Sequence, residues 1–159
     1  MNPTDENADS EITLVGSFQK NMQEVVCVGV NQWKGKDYFF LRIFVPAVGS
    51  EDMIPTIKGV NLEYQYIDDL YEGVKELGQV MGFDQVVKVI NKAENQEIRI
   101  GTSEYKGNSL LNIRLYQKYN KESDFQPTPR GISIQSMQYP LLLEVVEKLH
   151  AFVKTQTEK

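Results

Sequence analysis

The chain holds one cysteine, Cys27, and one histidine, His150, among 159 residues. A lone thiol cannot close an internal disulfide, and neither residue has Cys or His neighbours at ligand spacing, which excludes a structural zinc site. No apolar run approaches the roughly 18 residues that a membrane-crossing helix needs. Residues 1–11 lack the basic and apolar parts of a signal peptide, so a cytoplasmic protein is expected, nucleoid-associated if bacterial, with no membrane partner. No glycine-rich phosphate loop or paired metal motif is present, so no catalytic residue, metal or cofactor is expected. Net positive charge is lacking as well. Lys and Arg number 17 against 22 Asp and Glu, for a formal charge of −5. The distribution is uneven: residues 1–11 hold Asp5, Glu6, Asp9 and Glu11 without a base, residues 12–91 sum to −3, and residues 92–159 sum to +2. The second half is therefore the better electrostatic anchor for an anionic partner, and residues 1–11 read as an acidic disordered tail.

What the chain does have is an internal repeat. A shift of 72 residues, without a gap, sets Trp33-Lys34-Gly35 on Tyr105-Lys106-Gly107, Arg42 on Arg114, Pro55-Thr56 on Pro127-Thr128 and Gly59 on Gly131. Duplication of one unit explains these matches. The two copies are bounded as residues 12–82 and 83–159.

Each copy reads in the same order. A first strand lies near Leu14 to Lys20, matched by Val86 to Lys92. A second alternates Val26, Val28 and Val30 with Cys27, Gly29 and Asn31, matched by Ile98, Ile100 and Thr102 against Arg99, Gly101 and Ser103. Lys34-Gly35 and Lys106-Gly107 make turns into a third strand. That strand carries Phe39, Leu41 and Ile43 on one face and Phe40, Arg42 and Phe44 on the other; its counterpart turns Asn112, Arg114, Tyr116 and Lys118 outward. A polar loop of about ten residues, ending in the Pro-Thr pairs, leads to a fourth strand with Val60 and Leu62, or Ile132 and Ile134. Ile67, Leu70, Val74, Leu77 and Met81 then form one helical face, as do Leu142, Val145, Val146, Leu149, Phe152 and Val153, with Ser136 as the expected N-cap. The expectation is an α+β fold of two tandem ββββα repeats, each a four-stranded antiparallel sheet with a C-terminal helix. One helix covers part of one sheet, so the repeats are expected to pair within the chain as a pseudo-dimer, leaving the chain itself monomeric.

The residues Glu97-Ile98-Arg99-Ile100-Gly101, Ser103-Glu104-Tyr105-Lys106-Gly107, Asn112-Ile113-Arg114, Pro127-Thr128 and Gly131-Ile132-Ser133-Ile134 resemble the positive-cofactor-four family of transcriptional coactivators, especially its bacterial members. The first copy shows the pattern in Trp33-Lys34-Gly35-Lys36, Leu41-Arg42, Pro55-Thr56 and Lys58-Gly59-Val60. The resemblance implies a dimerising fold that binds single-stranded DNA with little sequence preference. It gives nucleic-acid roles to Trp33 with Lys34, to Tyr105 with Lys106, to Lys36, to Arg42 and Arg114, and to Lys58 and Arg130. The copies depart from each other where Asn108 replaces Lys36, Cys27 replaces Arg99 and Phe44 replaces Tyr116, so Arg99, Tyr116 and Arg130 weight binding toward the second copy.

The chemistry supports that implication without the family. Unstacked bases present π faces to aromatic side chains, while Lys and Arg track phosphates, so both residue types must share one exposed surface. Single-stranded DNA or RNA is the expected partner, with transcription or repair machinery beyond it. Each residue also has a plainer reading. Phe40 and Phe44 could be interface core, Trp33 and Tyr105 could pack over their own sheets, Arg42 and Arg114 could pair with carboxylates, and Gly29 and Gly101 read as close backbone approaches without a binding role. The competing class is a protein-interaction module of the same fold that has lost nucleic-acid binding. A repeat resembling the purine-rich-element-binding proteins has a similar element order and the same single-strand function.

Overall fold

A computed structural model describes residues 12–80 and 84–158. The acidic segment 1–11 lies outside them, as do Met81 and the boundary between copies at 82 and 83. The first copy runs β1 (Ile12–Gln19), β2 (Val25–Trp33), β3 (Lys36–Pro46), β4 (Met53–Glu63), a 3-10 turn at Tyr64–Tyr66 and helix α1 (Ile67–Val80). The second runs β5 (Gln85–Ala93), β6 (Gln96–Tyr105), β7 (Asn108–Gln117), β8 (Gln126–Gln135), a 3-10 turn at Ser136–Gln138 and α2 (Tyr139–Thr157). Each set of four strands forms its own antiparallel sheet in sequence order. The chain is thus the expected tandem pair of ββββα units.

The period-two pattern decides which face of each sheet is dry. Val26, Val28, Val30, Phe39, Leu41 and Ile43 point to the helix side and are buried with Leu70, Val74 and Leu77 in one continuous core. Glycines 29 and 101 keep the first strand close: a Cβ there would lie 2.3 Å from the Thr13 carbonyl oxygen and 2.4 Å from that of Gln85. The edge strand kinks beside each of these contacts, with register shifts between Leu14 and Gly16 and between Val86 and Lys88.

Two details differ from the sequence expectation. The Pro-Thr pairs are not loop ends. They lie in the first halves of β4 and β8, where Pro55 pairs with Phe44 and Pro127 with Tyr116 beyond a register shift. Both strands are at sheet edges, where a missing N–H is tolerated. The threonine hydroxyls stabilise the irregularity, Thr56 donating to the Ile43 carbonyl and Thr128 to that of Leu115, each at 2.8 Å. Ser136 is not an N-cap. It opens the 3-10 turn, its hydroxyl is buried without a partner among the described residues, and α2 begins three residues later with Pro140 in its first turn.

The helices are exchanged. α1 packs on β5 and β6 of the second sheet, α2 packs on β1 and β2 of the first, the helices pack on each other, and β4 meets β8 at the seam between the sheets. Polar contacts cross between the copies too. Lys88 reaches Asp69 at 3.4 Å and Glu72 at 3.3 Å, and Asp68 on α1 accepts from His150 at 2.7 Å and from Lys154 at 3.2 Å on α2. The His150 hydrogen bond, followed by that of Lys154, holds the Asp68 carboxyl below the ordinary aspartate range. His150 is accordingly a joint between the copies.

The two helix-on-sheet contacts are equivalent in position and opposite in size. On one side Gly73 approaches Lys88 and Ile100; on the other, Val145 approaches Gly16, which lies beside Val28. Residues 73 and 145, 16 and 88, and 28 and 100 are related by the same 72-residue shift. A small helix residue meets larger strand residues in one contact, and a larger helix residue meets a strand glycine in the other. Each helix therefore fits the opposite sheet. A Cβ on Gly73 would lie 2.6 Å from the Ile100 Cδ1 and 3.0 Å from the Lys88 Cβ. Gly73→Val is expected to lower stability by about 1 to 3 kcal/mol through overpacking, measured by chemical denaturation; parental stability would contradict the close approach.

Candidate nucleic-acid interface

The face of each sheet turned away from the helices carries the hairpin-tip aromatics and the third-strand arginines that the sequence singled out. At its tip both hairpins turn in two residues. Lys34 and Lys106 have φ of 50° and 52°, and Gly35 and Gly107 have 78° and 80°, the paired positive φ of a type I′ turn. The tight turn thrusts the preceding aromatic outward: Trp33 is 37% and Tyr105 62% exposed. Each carries its neighbouring ammonium, Lys34 Nζ at 4.6 Å from the Trp33 ring centroid and Lys106 Nζ at 5.3 Å from that of Tyr105. Neither aromatic is buried over its own sheet.

Below the tips, Arg42 and Arg114 occupy the same place in the two copies. Arg42 donates to the Thr56 carbonyl at 2.8 Å and to Asn61 Oδ1 at 3.1 Å, and Arg114 donates to the Thr128 carbonyl at 2.8 Å and to Ser133 Oγ at 3.0 Å. Neither is paired with a carboxylate among the described residues. Each spends two donors of its guanidinium fork on holding the edge strand and keeps others free for a ligand. Burial lowers both guanidinium pKa values; the charge of Arg130 adds to this at Arg42, whereas Tyr116 opposes it at Arg114.

The rest of this face differs between copies. In the first, Cys27, Phe40 and Phe44 form a small second cluster, with Phe40 3% and Phe44 7% exposed, and the two rings stack at 6.4 Å. These phenylalanines are therefore largely buried and form the floor of an outer-face groove beside Arg42. In the second, Arg99 lies 4.2 Å from the Tyr116 ring centroid and 2.6 Å from a Glu97 carboxylate oxygen, and Lys118 Nζ lies 4.9 Å from the Phe125 ring. Arg99 stands directly opposite Arg114, and Glu97 offsets that like-charge pairing. The extra arginine of the second copy is largely compensated from within.

The remaining basic residues separate into paired and unpaired ones. Lys36 lies 3.8 Å from Glu63, and Lys58 lies 3.2 Å from Glu24. Arg130 instead enters the seam beside the first copy. With Arg42, Lys92 and Gln96 it lines a cleft of about 190 Å³, which continues into a groove of about 590 Å³ bordered by Trp33, Asn61 and Lys92. Burial lowers the Lys92 pKa, and the charges of Arg130 and then Arg42 lower it further, against a smaller opposing effect of Glu63. Lys92 and Gln96 escaped the sequence reading. Their signal was present in the match of Lys92 to Lys20, but nothing in one dimension places the end of β5 beside Arg42.

Residues 92–145 match the family model described as Transcriptional Coactivator p15 (PC4). No curated protein sequence matches the chain. Among solved structures, two crystal forms of BPSL1147, a PC4 homolog from Burkholderia pseudomallei, align at 26% and 27% identity. They cover 41% and 39% of this chain and 86% and 90% of their own, with a TM-score of 0.35 in each case. The plant transcriptional regulator PBF-2 aligns over 93% of this chain and 85% of its own at 9% identity, with a TM-score of 0.39.

No group of three or more His, Cys, Asp or Glu side chains among the described residues is arranged to hold a metal. Cys27 is buried and free, and burial raises its thiol pKa. It is expected to resist a thiol reagent such as Ellman's in the native chain and to react fully on denaturation. Rapid native labelling would contradict its place beneath Phe40 and Phe44.

Proposed function

Starting from a chain whose second repeat, over residues 92–145, is a match to the Transcriptional Coactivator p15 (PC4) family, we propose that the protein binds single-stranded nucleic acid, DNA foremost, with little sequence preference. It does so without catalysis, as a cofactor of transcription or of replication and repair in the cytoplasm or nucleoid, with the machinery of those processes as its partners. The observation that carries this reading is the duplicated hairpin tip, a solvent-accessible aromatic with its own lysine held over the ring, presented by a two-residue turn.

A base that leaves its stack can lie on Trp33 or Tyr105, a contact worth about 1 to 3 kcal/mol per base by alanine substitution. The lysines beside the rings then meet the phosphates on either side of that base. Arg42 and Arg114, fixed by their bonds to the edge strands, offer directed donors farther along the same face. Since the contacts reach base faces and phosphates more than base edges, they carry little sequence information. Single strands are favoured over duplex because duplex bases are already stacked.

Trp33 is the only tryptophan, which makes the reading directly testable. A short single-stranded oligonucleotide is expected to quench its fluorescence, with affinity falling as salt rises at a log–log slope of about −0.7 per phosphate contact. Tyr105→Ala is expected to weaken binding by about 1 to 3 kcal/mol, and Lys106→Ala to flatten the salt slope by about one contact. Unchanged fluorescence together with no electrophoretic shift at low salt would leave the protein-interaction module as the better reading.

A further inference from the structure

The 72-residue shift relates each charged side chain at the seam to a counterpart, and two pairs are mismatched in charge: Glu63, which sits beside Lys36, corresponds to Gln135, and Gln96 corresponds to Glu24. Lys92 corresponds to Lys20, Arg130 to Lys58 and Arg42 to Arg114, so the basic residues are kept. Glu24 neutralises the counterpart lysines: it lies 3.4 Å from Lys20 and 3.2 Å from Lys58, and its carboxyl is held below the ordinary glutamate range by the Asn21 hydrogen bond and by these two lysines. On the other side Gln96 cannot do this. Arg42, Lys92 and Arg130 share one small cleft with it, and the nearest carboxylate with an influence on Lys92, Glu63, is already 3.8 Å from Lys36.

Three cations drawn together and partly desolvated, without a carboxylate of their own, repel one another and stabilise the fold less than the paired arrangement would. A bound anion would reverse that. A phosphodiester suits the cleft because its two free oxygens can accept from a guanidinium fork and an ammonium at once. The cleft also opens into the groove beside Trp33 and Asn31, whose side-chain oxygen is buried without a partner among the described residues. A strand stacked on Trp33 would thus run its backbone directly into the three cations.

We propose that the Arg42–Lys92–Arg130 cleft is a phosphate subsite for one backbone phosphate of a bound single strand. Gln96, neutral where its counterpart Glu24 is charged, confines that subsite to one side of the pseudo-twofold axis. The subsite rests on the single-strand reading above and adds direction to it. One half of the chain grips a strand at the tip and at the seam. The other grips it at the tip and lacks the seam contact. The duplicated protein would then bind a strand in a preferred orientation, which a symmetric dimer cannot do.

The test exchanges the two isosteres in the full chain, using Trp33 fluorescence with a dT12 oligonucleotide across a salt series. Gln96→Glu is expected to weaken binding roughly tenfold and to flatten the salt slope by about one phosphate contact. Glu24→Gln is expected to act in the opposite direction, tightening binding and steepening the slope by freeing Lys20 and Lys58. Arg130→Gln is a second variant that removes the subsite without adding a carboxylate, and it should match Gln96→Glu. Melting temperatures of all three establish that the variants are folded. If the parent quenches but Gln96→Glu and Arg130→Gln bind as the parent does, or if Gln96→Glu and Glu24→Gln shift affinity in the same direction, the subsite is wrong and single-strand binding stands. If the parent neither quenches nor shifts, the single-strand reading fails and the subsite with it.

Discussion

A four-stranded sheet with valines and isoleucines along one face must hide that face from water, and in this chain the helix that hides it comes from the other copy. α1 lies on the second sheet and α2 on the first. Neither copy completes its core alone, so the two are joined by the same hydrophobic burial that folds each of them. The position of β4 beside β8, and with it the placement of Arg130 next to Arg42, follows from this exchange. The candidate interface is a product of the crossed core: the hairpin tips belong to single copies, but the seam belongs to both.

Duplication within one chain releases the copies from the demand that they be identical. In a symmetric dimer a contact occurs twice and each substitution is made twice. Here Gly73 against Lys88 and Ile100 can coexist with Val145 against Gly16, each contact filled by a different division of the same space. The charge of the seam diverges in the same way. Glu24 closes an ion-pair network on one side, and Gln96 leaves its counterpart open on the other. The packing asymmetry fixes which helix sits on which sheet, and the charge asymmetry gives the two faces unequal electrostatic character.

Much of this was legible in the sequence. Strand order, hairpin turns, the helix faces and the pairing of the copies followed from periodicity and from the 72-residue shift, because each is set by local pattern or by the need to cover an apolar face. The close approach at Gly29 and Gly101 was legible for the same reason. The roles of Thr56 and Thr128 were not, since a hydroxyl that bridges a strand irregularity looks in sequence like a loop residue. Ser136 resembled a cap because the 3-10 turn that precedes α2 has no signature of its own. Phe40 and Phe44 alternated correctly onto the outer face, yet pattern alone does not show that Cys27 and Gly29 beneath them leave room for the rings to sink into the sheet. The seam cleft was least legible of all. It depends on which ends of which strands meet across copies, and the excess positive charge of residues 92–159 does not reveal that Arg130 and Lys92 face the first copy.

Under the proposed function, the exposed aromatic at each hairpin tip, with lysine beside it and fixed arginine below, stacks bases that are free to leave a stack. Competition for the protein between a single-stranded DNA and the duplex of the same sequence and length, at one fixed salt concentration, tests that role most directly. The single strand is expected to displace the duplex with an advantage of at least about tenfold, since stacking on the tips adds about 1 to 3 kcal/mol per base that a duplex cannot supply. Equal affinity for the two would show that the surface reads phosphate charge alone and would contradict the assignment of Trp33 and Tyr105 as stacking platforms.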